Sequence, residues 1–389
     1  MLVRTPVRDK TTWVSYFQAT CFAWFVFGFG ATLPLLRDDL HLSTTTASFH
    51  SIFMAIGSIT AGFTGGPFVA RVGRGRVLQL SSIVFATGVT LYVSGHSLAV
   101  TLPAVALTTF GGSTIIQATA AYLSNHQGVA APTAISEMHA LAAGLGIFAP
   151  ILVGIGLSVG VGWRPAIMVT AISVLILEFV RGRNTDLYGP ATHGDQESSH
   201  HDVPGPLPKR FWWTWAVMLC TASTEFSMLL WASDVLRIQG GLGKAASAAS
   251  LGCVVGGMFV GRFFGSQLAI RINSEKLFLG SLVLALVGFL GFWQSHSAIL
   301  LMVMLAITGL GVSLHFPLGI DRALRASEGR QDRASGLISV GAGFASGAAP
   351  FALGAWADRT SVHTAYAIVP IALTIAVFIT ARVRIPLDQ

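Results

Sequence analysis

Glu225 sits in Ala222-Ser223-Thr224-Glu225-Phe226-Ser227, in the middle of a long apolar run and far from either end of it. Burial away from water disfavours the charged form of a carboxyl, so a group placed there can take up and release a proton near neutral pH. The other reading is a carboxylate tied to neighbouring Ser or Thr for packing. His315 follows Gly311 and precedes Pro317, where a proline loosens the helical hydrogen-bond ladder. Histidine titrates near physiological pH, although a neutral, hydrogen-bonded ring is the alternative. His139 shares a helical stripe with Ala143, Gly146 and Pro150, whereas Glu137 lies two residues away on another face and reaches towards an interface. Glu225, His315 and His139 are thus the candidates for coupling to a proton. Gln117, Trp231 and Arg262 are the candidates for lining a substrate cavity. Trp231 offers an aromatic face to a sugar ring or flat ligand, or else packs between helices. Arg262 is suited to binding an anion, to pairing with Glu225, or to snorkelling towards an interface. Gln117 aligns with His315 if Gly111 is set on Gly309, an arrangement that would put the two on opposite walls of one cavity.

These residues need elements that hold them inside an apolar medium, and the composition supplies such elements. Hydrophobic residues make up 53% of the 389-residue chain and charged residues 11%, against about 25% charged in a typical soluble protein. The mean hydropathy is +0.68. Twelve apolar runs approach the ~20 residues needed to cross a bilayer. They lie at 13–36, 48–70, 77–95, 98–122, 134–160, 163–180, 211–236, 246–270, 277–295, 297–319, 334–356 and 363–381. The runs are long and continuous and do not alternate every second residue, so they read as helices and not as strands of a barrel. The first lacks a small-residue cleavage site and reads as a retained helix.

The chain also repeats. Gly57, Gly62 and Gly66 return as Gly256, Gly261 and Gly265, a step of 199 residues, and Ala149-Pro150 with Gly154 returns as Ala349-Pro350 with Gly354, a step of 200. The expected architecture is an all-α membrane protein of twelve transmembrane helices in two pseudo-symmetric six-helix bundles, 1–180 and 211–389. The segment 181–210, polar and carrying Pro204, Pro206 and Pro208, reads as the linker between them, and its His193, His200 and His201 as solvated residues and not as metal ligands.

With the N-terminus in the cytoplasm, eighteen Lys and Arg residues fall on the inner side and five on the outer: Arg37, Arg164, Arg237, Lys244 and Arg359. This positive-inside bias places both termini and the linker in the cytoplasm and accounts for the net charge of +7 without any nucleic-acid partner. Cys21, Cys220 and Cys253 form no CxxC pair, which argues against a metal site. The phosphate-binding pattern Gly-x-x-x-x-Gly-Lys-Ser/Thr is absent, so no nucleotide cofactor is expected and no enzymatic activity.

The stretch Gly66-Pro-Phe-Val-Ala-Arg71-Val-Gly73-Arg74-Gly75-Arg76 resembles the signature loop of the major facilitator superfamily, G-x-L-A-D-R-x-G-R-R. Gly66, Arg71, Gly73 and Arg74 match it, Phe68 fills its apolar position, and Ala70 stands where the pattern carries Asp. The resemblance implies a secondary transporter whose halves rock about a central site, with this loop as a conformational switch, a small-molecule substrate, the lipid bilayer as its setting and a monomeric state. A narrower similarity to the fucose-permease-like branch rests on His139 with Gly144, Gly146 and Pro150, on Glu225 six residues before Trp231, and on Gly309, Gly311, Phe316 and Pro317. Helix 1 lacks the acidic residue that a fucose permease carries, and Gln117 stands where its buried Glu would be, so fucose itself is not carried over. The resulting expectation is a proton-coupled carrier of a small polar solute, such as a sugar or related metabolite, in the cytoplasmic membrane. The runner-up is a drug or metabolite efflux antiporter, and a non-transporting membrane sensor is a remote third.

Overall fold

A computed structural model describes residues 5–182, 188, 205–383 and 385, without the side chains of Ser266, Gln267, Ala269, Ile270 and Asp332. Most of the linker expected over 181–210, including its three histidines, lies outside the described residues.

The described residues form sixteen α-helical segments, one short 3-10 turn and no strand. Grouped into spans they are α1 (Lys10–Asp39), α2 (Thr44–Val72), α3 (Arg74–Ser94), α4 (Leu98–Gln127), α5 (Ala131–Gly146 with Phe148–Ser158) and α6 (Arg164–Arg181). The second half holds α7 (Lys209–Ile238), α8 (Lys244–Ser250 with Gly252–Arg271), α9 (Ser274–Gln294), α10 (Ala298–Val312 with His315–Ala326), α11 (Gln331–Ala357) and α12 (Val362–Ala365 with Ile368–Arg382). Ten helical stretches are apolar and long enough to cross a membrane; one of them, Leu98–Ser158, runs for 61 residues and holds both α4 and α5. α6, with Arg164, Glu178 and Arg181 near its ends, completes the twelve. This is the twelve-helix membrane fold expected from the sequence.

Three of the interruptions have one cause. α5 breaks at Ile147, α10 at Ser313-Leu314 and α12 at Tyr366-Ala367, and the prolines at 150, 317 and 370 follow closely. A proline ring clashes with the carbonyl four residues earlier and withholds its own N–H, which falls on Gly146, Ser313 and Tyr366. Pro34, Pro67, Pro103 and Pro350 remain inside continuous helices.

The chain divides into two compact units, Met1–Phe29 with Phe53–Ser198, and Gly30–Ile52 with Ser199–Gln389. The end of α1 and the start of α2 therefore belong to the second unit, whereas the sequence pattern alone puts the boundary in the linker. Within that unit Asp358, just past α11, accepts the N–H groups of Thr44 (3.0 Å) and Thr45 (2.7 Å) and so caps α2. Partial desolvation raises its pKa, but those hydrogen bonds outweigh it and hold the carboxyl at about 2. The first unit holds an aromatic cluster in which Phe25 stacks on Phe29 and meets Phe85 and Tyr92 edge-on. The second buries Phe289 against Tyr366 and closes over Trp231.

Packing corrects the register of the repeat. A Cβ on Gly57 would strike the carbonyl oxygen of Ala106, and one on Gly257 that of Ala306. Gly88 and Gly288 lie against the main-chain nitrogen and hydroxyl of Thr108 and Thr308, and Gly111 and Gly311 against the main-chain nitrogen of Phe85 and Ala285. The threonine hydroxyls donate in turn to Ala104 O (2.8 Å) and Met304 O (2.7 Å). Each pair is 200 residues apart. The glycine register of 199 is one residue off, because the doublets Gly65-Gly66 and Gly256-Gly257 permit a slip. It pairs Gly62, where a Cβ would have nothing within 4 Å, with Gly261, whose Cβ would lie 2.7 Å from the Leu310 carbonyl oxygen. Gly261→Leu is accordingly expected to destabilise by about 1–3 kcal/mol or more through overpacking. Gly62→Leu is expected to stay within about 0.5 kcal/mol. Thermal melting of the two purified variants checks this, and equal losses would refute the 200-residue register.

Candidate functional site

Glu225 lies on the half-buried face of α7, and the break in α10 turns His315 onto the same cavity. Its walls come from α7, α10 and α11, all within the second unit, with Trp215, Met218, Phe316 and Ile338 among the lining side chains. The close fit of α11 against α7 depends on Gly341, where a Cβ would come within 2.8 Å of the Trp215 indole. His315 is 1% exposed, and neither ring nitrogen has a hydrogen-bond partner. The ring edge meets Phe278 with centroids 6.3 Å apart, and the main chain of Ser281 is the polar group that approaches it. Glu225 makes no hydrogen bond or ion pair among the described residues, and the opposite charge acting on it is the Arg262 guanidinium of α8. Three of the sequence candidates are therefore brought together: Glu225 and His315 in one cavity, with Arg262 within electrostatic reach.

The 200-residue register provides an internal control. The counterpart of Glu225 is Phe25, that of His315 is Ile115, and that of Arg262 is Gly62. Phe25 and Ile115 are both fully buried in the first unit. All three ionisable groups thus occur in the second half alone, replacing apolar or absent side chains in an otherwise parallel framework. Gln117 corresponds to Pro317 and not to His315, which corrects the alignment made through Gly111 and Gly309. Gln117 lies over Gly65 in the first unit, its Oε1 2.9 Å from where a Cβ there would sit.

Other candidates are placed apart from this cavity. Trp231 is 1% exposed, its indole N–H donating to the Pro350 carbonyl at 3.1 Å, so its face is occupied by packing. His139 is exposed on α5 in the first unit. Glu137 forks onto Arg8 at 2.7 Å and accepts from the Tyr16 hydroxyl at 3.2 Å. Glu178, which its place in the sequence puts near an interface, is held among Gln18 Nε2 (2.6 Å), Ser82 Oγ (2.9 Å) and Arg181.

In the signature loop, Gly73 adopts φ +88°, which explains the glycine between α2 and α3. Arg71 is exposed, and a Cβ on Gly66 would have nothing within 4 Å. Arg74 turns inward and donates to the Tyr188 carbonyl at 3.2 Å, while Arg181 grips the Gly75 carbonyl at 2.8 Å.

A second charged site is not evident from the sequence pattern. Arg37, at the end of α1, forks onto Asp234 of α7 at 2.7 and 3.2 Å and lies 5.9 Å over the Trp231 ring. Arg237, its repeat counterpart, pairs with Asp38 at 3.1 Å, and Lys244 joins Asp38 at 2.7 Å. The two helix ends therefore exchange arginine–aspartate pairs reciprocally. The recurrence of Arg37 as Arg237 is the signal that could have found it.

A duplicated bundle of twelve membrane-crossing helices, with Glu225 and His315 on one cavity of its second half, has the architecture of a polytopic secondary transporter. The profile of the Major Facilitator Superfamily matches residues 15–275 and 239–388, and the chain belongs to that family. Its members are transporters and not enzymes. No curated protein sequence matches the chain significantly. Among solved structures, the fold is similar to the E. coli fucose:proton symporter, with a TM-score of 0.60, 13% identity, and coverage of 95% of this chain and 99% of that one. A fucose transporter in its outward conformation gives 0.62 at 13% identity and the same coverage. A bacterial homologue of the human lysosomal transporter Spinster, inward-facing and unoccupied, gives 0.71 at 12% identity over 97% of this chain and 98% of that one. Identities this low establish the fold alone.

Proposed function

We propose that the protein is a proton-coupled secondary transporter that moves a small polar solute, such as a sugar or related metabolite, across the cytoplasmic membrane by alternating access. The observation that carries this reading is the meeting of Glu225 and His315 in one cavity, at positions where the other half of the repeat holds Phe25 and Ile115. An intramembrane ionisable residue is costly and is kept where it serves an ion or substrate path. Glu225 is the principal proton carrier: it is protonated when its cavity opens to one side and releases the proton to the other. Arg262 of α8 is the opposite charge that acts on it. The eighteen-to-five distribution of basic residues supports a cytoplasmic location for both termini and for 181–210. The protein works as a monomer, its conformational switch being the loop with Gly66, Arg71, Gly73 and Arg74.

Trp215, Met218, Leu219, Phe316 and Ile338 make the cavity wall mainly apolar. That wall favours the second reading, export of an amphipathic drug or metabolite in exchange for protons. Purified protein in liposomes loaded with a pH-sensitive dye, challenged with sugars, organic acids and cationic drugs, tests both. Proton entry together with substrate is expected for symport, and opposite movement for antiport. Tight binding of a ligand without flux of ligand or proton would instead indicate a sensor and refute transport.

A further inference from the structure

A buried imidazole rarely keeps both nitrogens unsatisfied. Leaving a buried donor or acceptor unpaired costs roughly 1–3 kcal/mol, and buried polar atoms in native proteins nearly always find a partner, often an ordered water. His315 is close to that position: it is 1% exposed, neither ring nitrogen makes a well-formed hydrogen bond, and the main chain of Ser281 is the one polar group that approaches the ring. The cavity it lines has room for solvent amounting to ≈10 Å³. That is about the space one water needs, at roughly 10–15 Å³, provided two or more polar partners surround it.

The wall contains few groups able to serve. Trp215 Nε1 already donates to the Leu337 carbonyl at 2.8 Å, and Thr221 Oγ1 donates to the Met218 carbonyl at 3.0 Å. Glu225 and His315 are the polar lining side chains left uncommitted among the described residues.

From these observations we infer that Glu225 and His315 hold one water molecule between them and take up the transported proton as a unit. The inference rests on the proton-coupled reading above. In the step it implies, an imidazolium at His315 gives a proton to the water as the water gives one to the Glu225 carboxylate. Neutral imidazole, water and carboxylic acid result, with charge and atoms conserved. The charged groups that bear on the pair are Arg262 from α8 and, behind Phe278, Arg322, whose guanidinium lies 5.7 Å over that ring and is itself paired with Glu275 of α9. Two interacting sites titrate with apparent values that belong to the pair, so removing one shifts the other. In the first half, Phe25 and Ile115 leave no polar group to hold such a water.

The test is infrared difference spectroscopy of the full chain in liposomes, stepped in pH in ordinary and ¹⁸O-labelled water, together with the pH profile of substrate accumulation. Wild type is expected to show a protonated-carboxyl band that Glu225→Gln abolishes, accompanied by a water O–H band sensitive to ¹⁸O. His315→Gln keeps hydrogen bonding but removes titration, and is expected to shift the carboxyl band and move the pH midpoint of accumulation by about one unit, a tenfold change in proton affinity. His315→Leu should lose the water band altogether. An unchanged carboxyl band and pH midpoint in the His315 variants would overturn the shared water and leave Glu225 as a lone carrier. If the histidine variants fail to fold, absence of an ¹⁸O-sensitive band in wild type overturns it equally. Accumulation by wild type that does not respond to an imposed pH gradient would instead remove the proton-coupled reading itself.

Discussion

Glu225→Gln is expected to abolish accumulation of substrate against its gradient while leaving exchange of substrate across the membrane intact. One pH unit corresponds to 1.36 kcal/mol, so a carrier moving one proton per solute can concentrate that solute about tenfold for each unit of imposed gradient. The amide matches the protonated carboxyl in shape and in neutrality but cannot release a proton. The variant should therefore equilibrate its substrate and no more, a loss of about tenfold in accumulation ratio per pH unit. Counterflow, in which labelled and unlabelled substrate exchange with no net proton movement, should continue. The position tolerates a neutral occupant on structural grounds, since no described hydrogen bond or ion pair reaches the Glu225 carboxylate and its repeat counterpart is Phe25. Retained, pH-dependent concentration of substrate by Glu225→Gln would pass the role to His139 or His315, whereas concentration indifferent to the pH gradient in wild type would exclude proton coupling. Loss of counterflow as well would mean that the residue shapes the substrate site directly.

Much of the framework was legible because its determinants are local. A bilayer-length apolar run specifies a span, and the twelve runs read from sequence each correspond to a helix, displaced by a few residues where helices continue into polar ends. Prolines 150, 317 and 370 mark the broken helices for a reason that is equally local. Glu225 and His315 stood out because an ionisable group in an apolar run is rare, yet their convergence was not legible. It depends on the break at Ser313-Leu314 and on the close approach of α11 at Gly341, both properties of packing. The same limit explains Trp231. Its type suggested a ligand surface, but its indole N–H is spent on Pro350, 119 residues further on. Glycines misled the register because adjacent ones are interchangeable in sequence and not in space: Gly257 faces a carbonyl, whereas Gly256 has nothing within 4 Å. The carboxylates Glu178 and Asp234 each lie near the end of an apolar run, a position that suggests an interface residue. Both prove to be held by partners distant in sequence.

Asp234 gives the second large effect. Its side chain is 2% exposed, and its neutralising partner Arg37 is 16% exposed. Removing one member of a buried pair leaves an uncompensated charge and costs about 3–5 kcal/mol. Arg37→Met is therefore expected to lower the melting temperature of the purified protein by roughly 6 °C or more, at about 2–4 °C per kcal/mol for a domain of this size. Methionine preserves the apolar contact that the arginine stem makes with Trp231, so the loss should report the charge. The double variant Arg37→Met with Asp234→Leu removes both charges together. It is expected to recover most of the stability, since replacing a buried pair by packed apolar groups is often neutral. The repeat supplies the contrast. Arg237 occupies the equivalent place, but its partner Asp38 is 26% exposed and also holds Lys244 at 2.7 Å. Arg237→Met should cost no more than about 1 kcal/mol, as surface pairs do. Similar losses for Arg37→Met and Arg237→Met, or no recovery in the double variant, would show that burial of Asp234 does not set the strength of this junction. In that case the reciprocal arginines would act through their helix ends and not through their carboxylate partners.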